Sequence, residues 1–275
     1  MRIDSHQHFW NYNPREYPWI GDKRIARAFL PKDLEAELKP VRLDGSVAVQ
    51  ARQSVEESRW LLTLADHYPV IKGVVGWVDL RSPEVDRELA ELSKHPRFVG
   101  VRHVVQDEPD ANFMLQPEFL RGIGKLTAHR LVYDILIFPK QLPAAIDLAK
   151  RFPEQTFVLD HIAKPFIKDG TLSPWGKQIR ELAKSPNVFC KVSGMVTEAK
   201  HGSWKKEDFK PYLDIVFEAF GMDRLMYGSD WPVCLLSGSY RDVFGIVDEY
   251  VTAHAGKAAD KIFGGNAANA YQLRS

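Results

Sequence analysis

At 275 residues the chain can bury most of its apolar surface without covalent staples. Its two cysteines, Cys190 and Cys234, cannot form a disulfide framework and suit a reducing, cytoplasmic compartment. A formal charge of +1, with acids and bases interspersed, excludes the electrostatic footprint of a nucleic-acid or membrane binder. The start of the chain lacks a basic-then-apolar signal pattern, and no apolar run reaches membrane-spanning length.

Taken in order, the first apolar segment carries Asp4-Ser5-His6-Gln7-His8. An aromatic stretch without clear period, residues 9–30, predicts a long packed loop. A short helix with Pro at its start is expected over 31–38. Residues 46–49 form a buried-strand run ending at Gln50 and Arg52, followed by Leu61, Leu64, Ala65 and Tyr68 at helical spacing. The alternation then repeats. Residues 73–78 end at Asp79 and lead to the Val85, Leu89, Leu92 stripe; 98–101 run into Arg102-His103 and a helix over 117–129. Residues 131–137 hold Tyr133-Asp134 and precede a helix with Leu142, Ile146 and Ala149. Residues 156–159 reach Asp160-His161 and a helix over 175–183; 188–192 reach Ser193-Gly194 and a helix with Phe209, Leu213, Val216, Phe217 and Phe220. Residues 224–228 end at Ser229-Asp230, with Val243, Ile246, Val247, Tyr250 and Val251 beyond, and an extra helix broken near Gly264-Gly265 is expected over 258–273.

Eight near-continuous apolar strands alternating with amphipathic helices predict a parallel sheet covered on its faces. In about 250 residues that pattern predicts a (β/α)8 TIM barrel, one domain over 1–275. The competing doubly wound sheet needs a switch point and usually a Gly-rich first turn, and the sequence has neither.

In a barrel the site lies at the strand C-termini. Those ends supply His6 and His8, Gln50 and Arg52, Asp79, Arg102 and His103, Tyr133 and Asp134, His161, Lys191 and Ser193, and Asp230. His6 and His8 project to one face because side chains alternate along a strand, so both rings can address one ion or one carbonyl. By the same alternation only one of Arg102 and His103 faces the barrel mouth. Gln50, Arg52, Tyr133, Lys191 and Trp231 are expected to bind substrate, although Lys191 can equally be a buried ion-pair partner and Trp10, Trp19, Trp77 and Trp231 packing aromatics. His67, His95, His129, His201 and His254 fall on helices or loops and receive no role.

Three motifs carry a resemblance: Ile3-Asp4-Ser5-His6-Gln7-His8-Phe9-Trp10, Leu159-Asp160-His161 with Lys164-Pro165, and Tyr227-Gly228-Ser229-Asp230-Trp231-Pro232-Val233. Together they resemble the amidohydrolase superfamily and, more narrowly, its sugar-lactonase branch of L-fuconolactonases and L-rhamnonolactonases. Tyr17-Pro18-Trp19-Ile20, Val49-Gln50-Ala51-Arg52 and Cys190-Lys191-Val192-Ser193-Gly194 extend the likeness through the chain. The resemblance implies a hydrolase that opens an aldonolactone, a small-molecule substrate, to its sugar acid. It implies Asp230 as general base, with His161 and Arg102 also catalytic, and one divalent ion, zinc, on His6, His8, His161 and Asp230. Tyr133-Asp134 stand where many superfamily members have a ligand histidine, and the fourth strand has no bridging lysine. Those departures imply one ion rather than two, and leave open whether it is required. A metal-dependent non-oxidative decarboxylase and a binding barrel without chemistry are the alternatives.

Overall fold

A single sheet of eight strands, all parallel and in sequential order, organises the described residues of this computed structural model, 1–254 and 256–274. The strands are β1 Ile3–Gln7, β2 Gly45–Val49, β3 Ile71–Gly76, β4 Phe98–His103, β5 Val132–Ile135, β6 Phe157–Leu159, β7 Val188–Val192 and β8 Leu225–Tyr227. The ring closes just beyond β8, where the His8 amide donates to the Trp231 carbonyl (2.7 Å) and the Asp230 amide to the His6 carbonyl (2.8 Å). Below these bonds the Ser5 hydroxyl donates to the Tyr227 carbonyl at 2.6 Å. This is the (β/α)8 barrel that the sequence predicts.

The helices are α1 Pro31–Leu38, α2 Val55–His67, α3 Val85–Leu92, α4 Pro117–Leu126, α5 Leu142–Arg151, α6 Trp175–Leu182, α7 Lys210–Phe220, α8 Tyr240–His254 and α9 Asn266–Ala270. Each main helix buries one stripe, such as Phe119, Ile123 and Leu126 on α4, at the i, i+4, i+7 spacing that makes one face. Proline in the first turn of α1, α4, α5 and α7 costs no helical hydrogen bond there. The helix expected over 117–129 stops at Leu126; residues 127–129 tighten into a 3₁₀ turn that Arg130 ends at φ 57°. The C-terminal break falls where expected, as a π-helical turn over Lys261–Gly265 before α9. Residues 9–30 are irregular but tied together, with Trp10 and Phe29 paired as an antiparallel bridge.

Inside the barrel Ile3, Val47, Val49, Val75, Val99, Val132, Val158 and Met226 form an apolar cluster with Ala267, Ala270 and Tyr271, which come from α9 and the residue after it. That cluster fills the N-terminal end of the barrel. A bulge in β1 is central to what lies above it. Asp4 pairs with Ser46 but Gln7 with Ala48, so β1 carries one extra residue. The extra residue lets Ile3 face the lower core while His6 and His8 face the mouth. Asp4 turns aside, accepting from the Ser229 amide and hydroxyl (2.9 and 2.6 Å) and the Tyr240 hydroxyl (2.9 Å), which pins β1 to the end of β8 and to α8.

Candidate active site

Four side chains from three parts of the sequence meet over the apolar cluster. His6 Nε2, His8 Nε2 and His161 Nε2 lie 3.8, 3.4 and 3.8 Å from Asp230 Oδ1, and the Nε2 atoms of His6 and His8 are 3.2 Å apart. The opposite nitrogen of each ring is tied down. His8 Nδ1 donates to the Val49 carbonyl at 2.8 Å, His161 Nδ1 sits 2.8 Å from Ser193 Oγ, and His6 Nδ1 sits 3.2 Å from Asp160 Oδ1. Such partners fix ring orientation and leave each Nε2 lone pair aimed inward.

The backbone is bent to achieve this. His161, Ile162, Ala163 and Lys164 all have positive φ (54°, 48°, 60° and 47°), as does Asp230 (57°). A left-handed turn costs an L residue roughly 1–2 kcal/mol, and a β-branched residue such as Ile162 rarely adopts it. The Trp175 indole of α6 secures the turn by donating to the Ile162 carbonyl at 2.8 Å. Two glycines make room: a Cβ on Gly228 would stand 2.7 Å from His6 Cβ, and one on Gly194, at φ +63°, 2.6 Å from the His161 ring.

Burial pushes the His6 and His161 rings well below the ordinary imidazole value, so both are neutral near pH 7. Burial pushes the Asp230 carboxyl up, but His161 and His8 beside it outweigh that and leave it below its ordinary value. The result is one ionised carboxylate beside the neutral His6 and His161 rings. Ligand atoms about 2.0–2.1 Å from one ion at tetrahedral angles stand about 3.3 Å apart; His6, His161 and Asp230 each offer an atom within 4.8 Å of the other two, which suits a single ion, and His8 stands beside that group without belonging to it.

Beneath the imidazoles lies a buried layer of charge. Lys191 Nζ reaches Asp134 Oδ2 (2.5 Å) and Asp160 Oδ1 (3.0 Å), and Arg102 Nη1 reaches Asp160 Oδ2 (3.1 Å). Two cations thus balance two carboxylates out of water, the condition under which buried ions are tolerated. Burial raises Asp134 to about 6 against the opposing pull of Lys191, whereas Lys191, His6 and Arg102 hold Asp160 well below the ordinary range despite its burial.

His8, His161 and Asp230 line a cavity of about 770 Å³, with His6 fully buried beside them. Its walls carry charges of both signs, Arg15, Arg52, Arg102 and Lys164 with Glu16 and Asp107, and Trp19 and Leu136 are among its apolar surfaces. Arg52 therefore stands where a substrate ligand should, 3.3 Å from Glu16. Arg102 faces in; His103 faces out, stacked on Phe113 at 4.8 Å and bonded to Glu108 at 2.7 Å.

Four expected substrate ligands do not reach the cavity. Tyr133 points outward between Phe119 and Phe157, because alternation in β5 turns Asp134 inward instead. Trp231 packs against Phe9 and Phe29 in the core. Lys191 lies in the charge layer, and Gln50 is buried with its amide 3.4 Å from the Arg102 carbonyl. Asp79, another strand-end residue, is solvent-exposed and off the cavity wall.

Lys191 is the buried ion-pair partner that the sequence allowed, but sequence reasoning missed Asp134 and Asp160 as its partners. It also missed Lys164 on the cavity wall and Glu57 in α2. Glu57 accepts from the Ala51 and Arg52 amides (3.0 and 2.9 Å) and from the Tyr17 hydroxyl (3.0 Å), fixing the loop that carries Arg52. Ser54-Val55-Glu56-Glu57 has the capping-box spacing that would have flagged it.

Residues 3–273 match the amidohydrolase family model. An L-fucono-1,5-lactonase of Burkholderia multivorans is 41% identical over 99% of this chain and 96% of its own length. One from Burkholderia ambifaria is 37% identical with the same coverage. An amidohydrolase from Burkholderia multivorans, crystallised with bound zinc, superposes with a TM-score of 0.96 at 41% identity over the whole of both chains. On the family match and these full-length likenesses, the chain belongs to the amidohydrolase family.

Proposed function

We propose that the chain is a lactonase that opens a sugar lactone of the L-fucono-1,5-lactone kind to its open-chain acid. The observation that carries this reading is the convergence of three imidazole Nε2 atoms on the Asp230 carboxylate at the floor of the cavity. The activity of the two full-length relatives supports it.

Asp230 takes a proton from water as its oxygen attacks the ring carbonyl, a role that needs reach and an ionised carboxylate. The new C–O bond drives the carbonyl electrons onto oxygen, where the Arg102 guanidinium stabilises the developing charge. As the carbonyl re-forms, the ring C–O bond breaks and the leaving alkoxide takes the proton back from Asp230. His6, His161 and Asp230 are the residues that would hold a divalent ion, zinc as in the crystallised relative, which supplies Lewis-acid polarisation of a carbonyl oxygen. Arg52 and Lys164 on the wall hydrogen-bond sugar hydroxyls, and a site built for hydroxyls discriminates strongly against analogues that lack them.

The reading takes residues 1–275 as one catalytic domain, which a single calorimetric transition would support. It places the protein in the cytoplasm, since Cys190 and Cys234 are free and buried and no helix among the described residues is long and apolar enough to cross a membrane. Cell fractionation checks that placement. For function, a panel of sugar lactones in weak buffer with a pH indicator is the test. The expected result is enzyme-dependent acid from L-fucono-1,5-lactone; no acid from any lactone, or carbon dioxide from a hydroxybenzoate instead, would overturn it.

A further inference from the structure

Of Trp10, Trp19, Trp77 and Trp231, three are taken up by packing. Trp10 and Trp231 are buried in the core, and Trp77 donates to the outward-facing His103. Trp19 lines the cavity and, among the described residues, is the one Phe, Tyr or Trp that does so. It is 45% exposed although Tyr17 and Ile20 on either side are buried.

That exposed ring is not free to swing. Its indole N–H donates to the Ala51 carbonyl at 2.9 Å, and it stands edge-to-face with Trp10, 5.4 Å between centroids. Trp10 in turn stacks on His8 at 6.4 Å. The Tyr17 hydroxyl anchors the same segment by donating to Glu57. The cavity therefore holds a fixed aromatic surface, two ring contacts from His8 and bonded to the residue before Arg52.

A sugar lactone has two kinds of surface. Its hydroxyls radiate from the ring edge, where Arg52 and Lys164 can meet them, while its C–H bonds leave an apolar patch on a ring face. Burying that patch is favourable only against an apolar partner. An indole face supplies a large apolar area, and its negative π-surface attracts C–H hydrogens made slightly positive by neighbouring oxygens. Because Trp19 is already held in one orientation, binding costs it little side-chain freedom.

We propose that Trp19 is a substrate-binding residue whose indole face packs on the C–H face of the lactone ring while Arg52 and Lys164 take the hydroxyls. The proposal rests on the reading of the chain as a sugar lactonase and adds to it the partner for the sugar's apolar side. The C–H face does not change as water attacks the carbonyl, so the contact is equally strong in ground and transition states. Its loss belongs in KM and not in kcat.

The test reads kcat and KM on L-fucono-1,5-lactone, with Tm as the check on folding, in wild type, Trp19→Ala and Trp19→Phe. Trp19→Ala raises KM by about 10-fold or more, with kcat within about twofold of wild type. Trp19→Phe separates the ring from the hydrogen bond, since it keeps an aromatic face and loses the donor to Ala51; its KM stays within about threefold of wild type. If Trp19→Phe is as impaired as Trp19→Ala, the bond to the loop carrying Arg52 is what matters and the proposal is overturned. A wild-type KM in Trp19→Ala, or a fall in kcat at unchanged KM, overturns it too. Should Trp19→Ala not fold, Trp19→Gln makes the same comparison with a polar chain in place of the ring. Wild type that opens no lactone would overturn the functional reading and this proposal together, whereas normal turnover with KM unchanged in the variants would overturn this proposal alone.

Discussion

The two ends of the barrel are built on different rules. At the N-terminal end, apolar side chains from the strands interlock with α9 and with Tyr271, whose hydroxyl reaches up to Asp134 of the charge layer. At the C-terminal end, three histidines and one carboxylate are held by a left-handed turn, positive φ at that aspartate and a buried layer of two cations and two acids. Each of those features costs stability by itself. The lower end supplies cohesion, and the upper end uses some of it to hold reactive groups in place.

Removing the charge that neutralises the upper end is the harshest way to break this contrast. Lys191→Met leaves Asp134 and Asp160 with a single cation between them and should cost about 3–5 kcal/mol in denaturant unfolding. A loss under 1 kcal/mol would mean that the layer is not buried as described. At the lower end, Met226→Ala should cost about 2–5 kcal/mol through a cavity. Its kcat and KM on the lactone should match wild type well below the variant's Tm, since Met226 lies in the apolar cluster; a large fall in kcat would show that the ends are not separable.

A third substitution asks how far the upper end's polarity reaches into its supporting helices. Burial, against hydrogen bonds from Arg52, Ala51 and Tyr17, raises the Glu57 carboxyl from 4.5 to about 7. A carboxyl with a higher pKa folded than unfolded binds more protons when folded. Its penalty is absent below 4.5, grows as pH rises and is complete above about 7. Glu57→Gln should therefore gain Tm relative to wild type from pH 5 to pH 8, and a pH-independent difference would contradict this. The smallest effect is expected at Tyr133, whose hydroxyl is buried without a partner outside the barrel wall. Tyr133→Phe should change stability by less than about 1 kcal/mol and leave KM unchanged; a raised KM would put Tyr133 back among the substrate ligands.

That Tyr133 stands at the wrong address shows where the sequence stops being readable. Strand order and strand ends were legible, because apolar runs alternate with helical stripes and each run ends in polar residues. The gathering of His6, His8, His161 and Asp230 followed from those ends. Which residue of a pair faces inward was not legible. One extra residue in β1 resets the alternation, so Asp4 leaves the face that simple parity would give it with His6 and His8. The turn from His161 to Lys164 was also hidden, since nothing about Ile or Ala favours positive φ; tertiary contacts such as the Trp175 bond impose it. Lys191 read as a substrate ligand because its strand position is right, yet its depth in the barrel depends on register, which composition does not encode.

The central claim is that the chemistry resides in Asp230 amid the three imidazoles. Its most direct test is the initial rate of acid release from L-fucono-1,5-lactone by Asp230→Asn and wild type, with matched circular dichroism and Tm. The account predicts a variant slower by about 10²–10⁴-fold and as stable as wild type or more so. A folded variant that opens the lactone at close to the wild-type rate would contradict it.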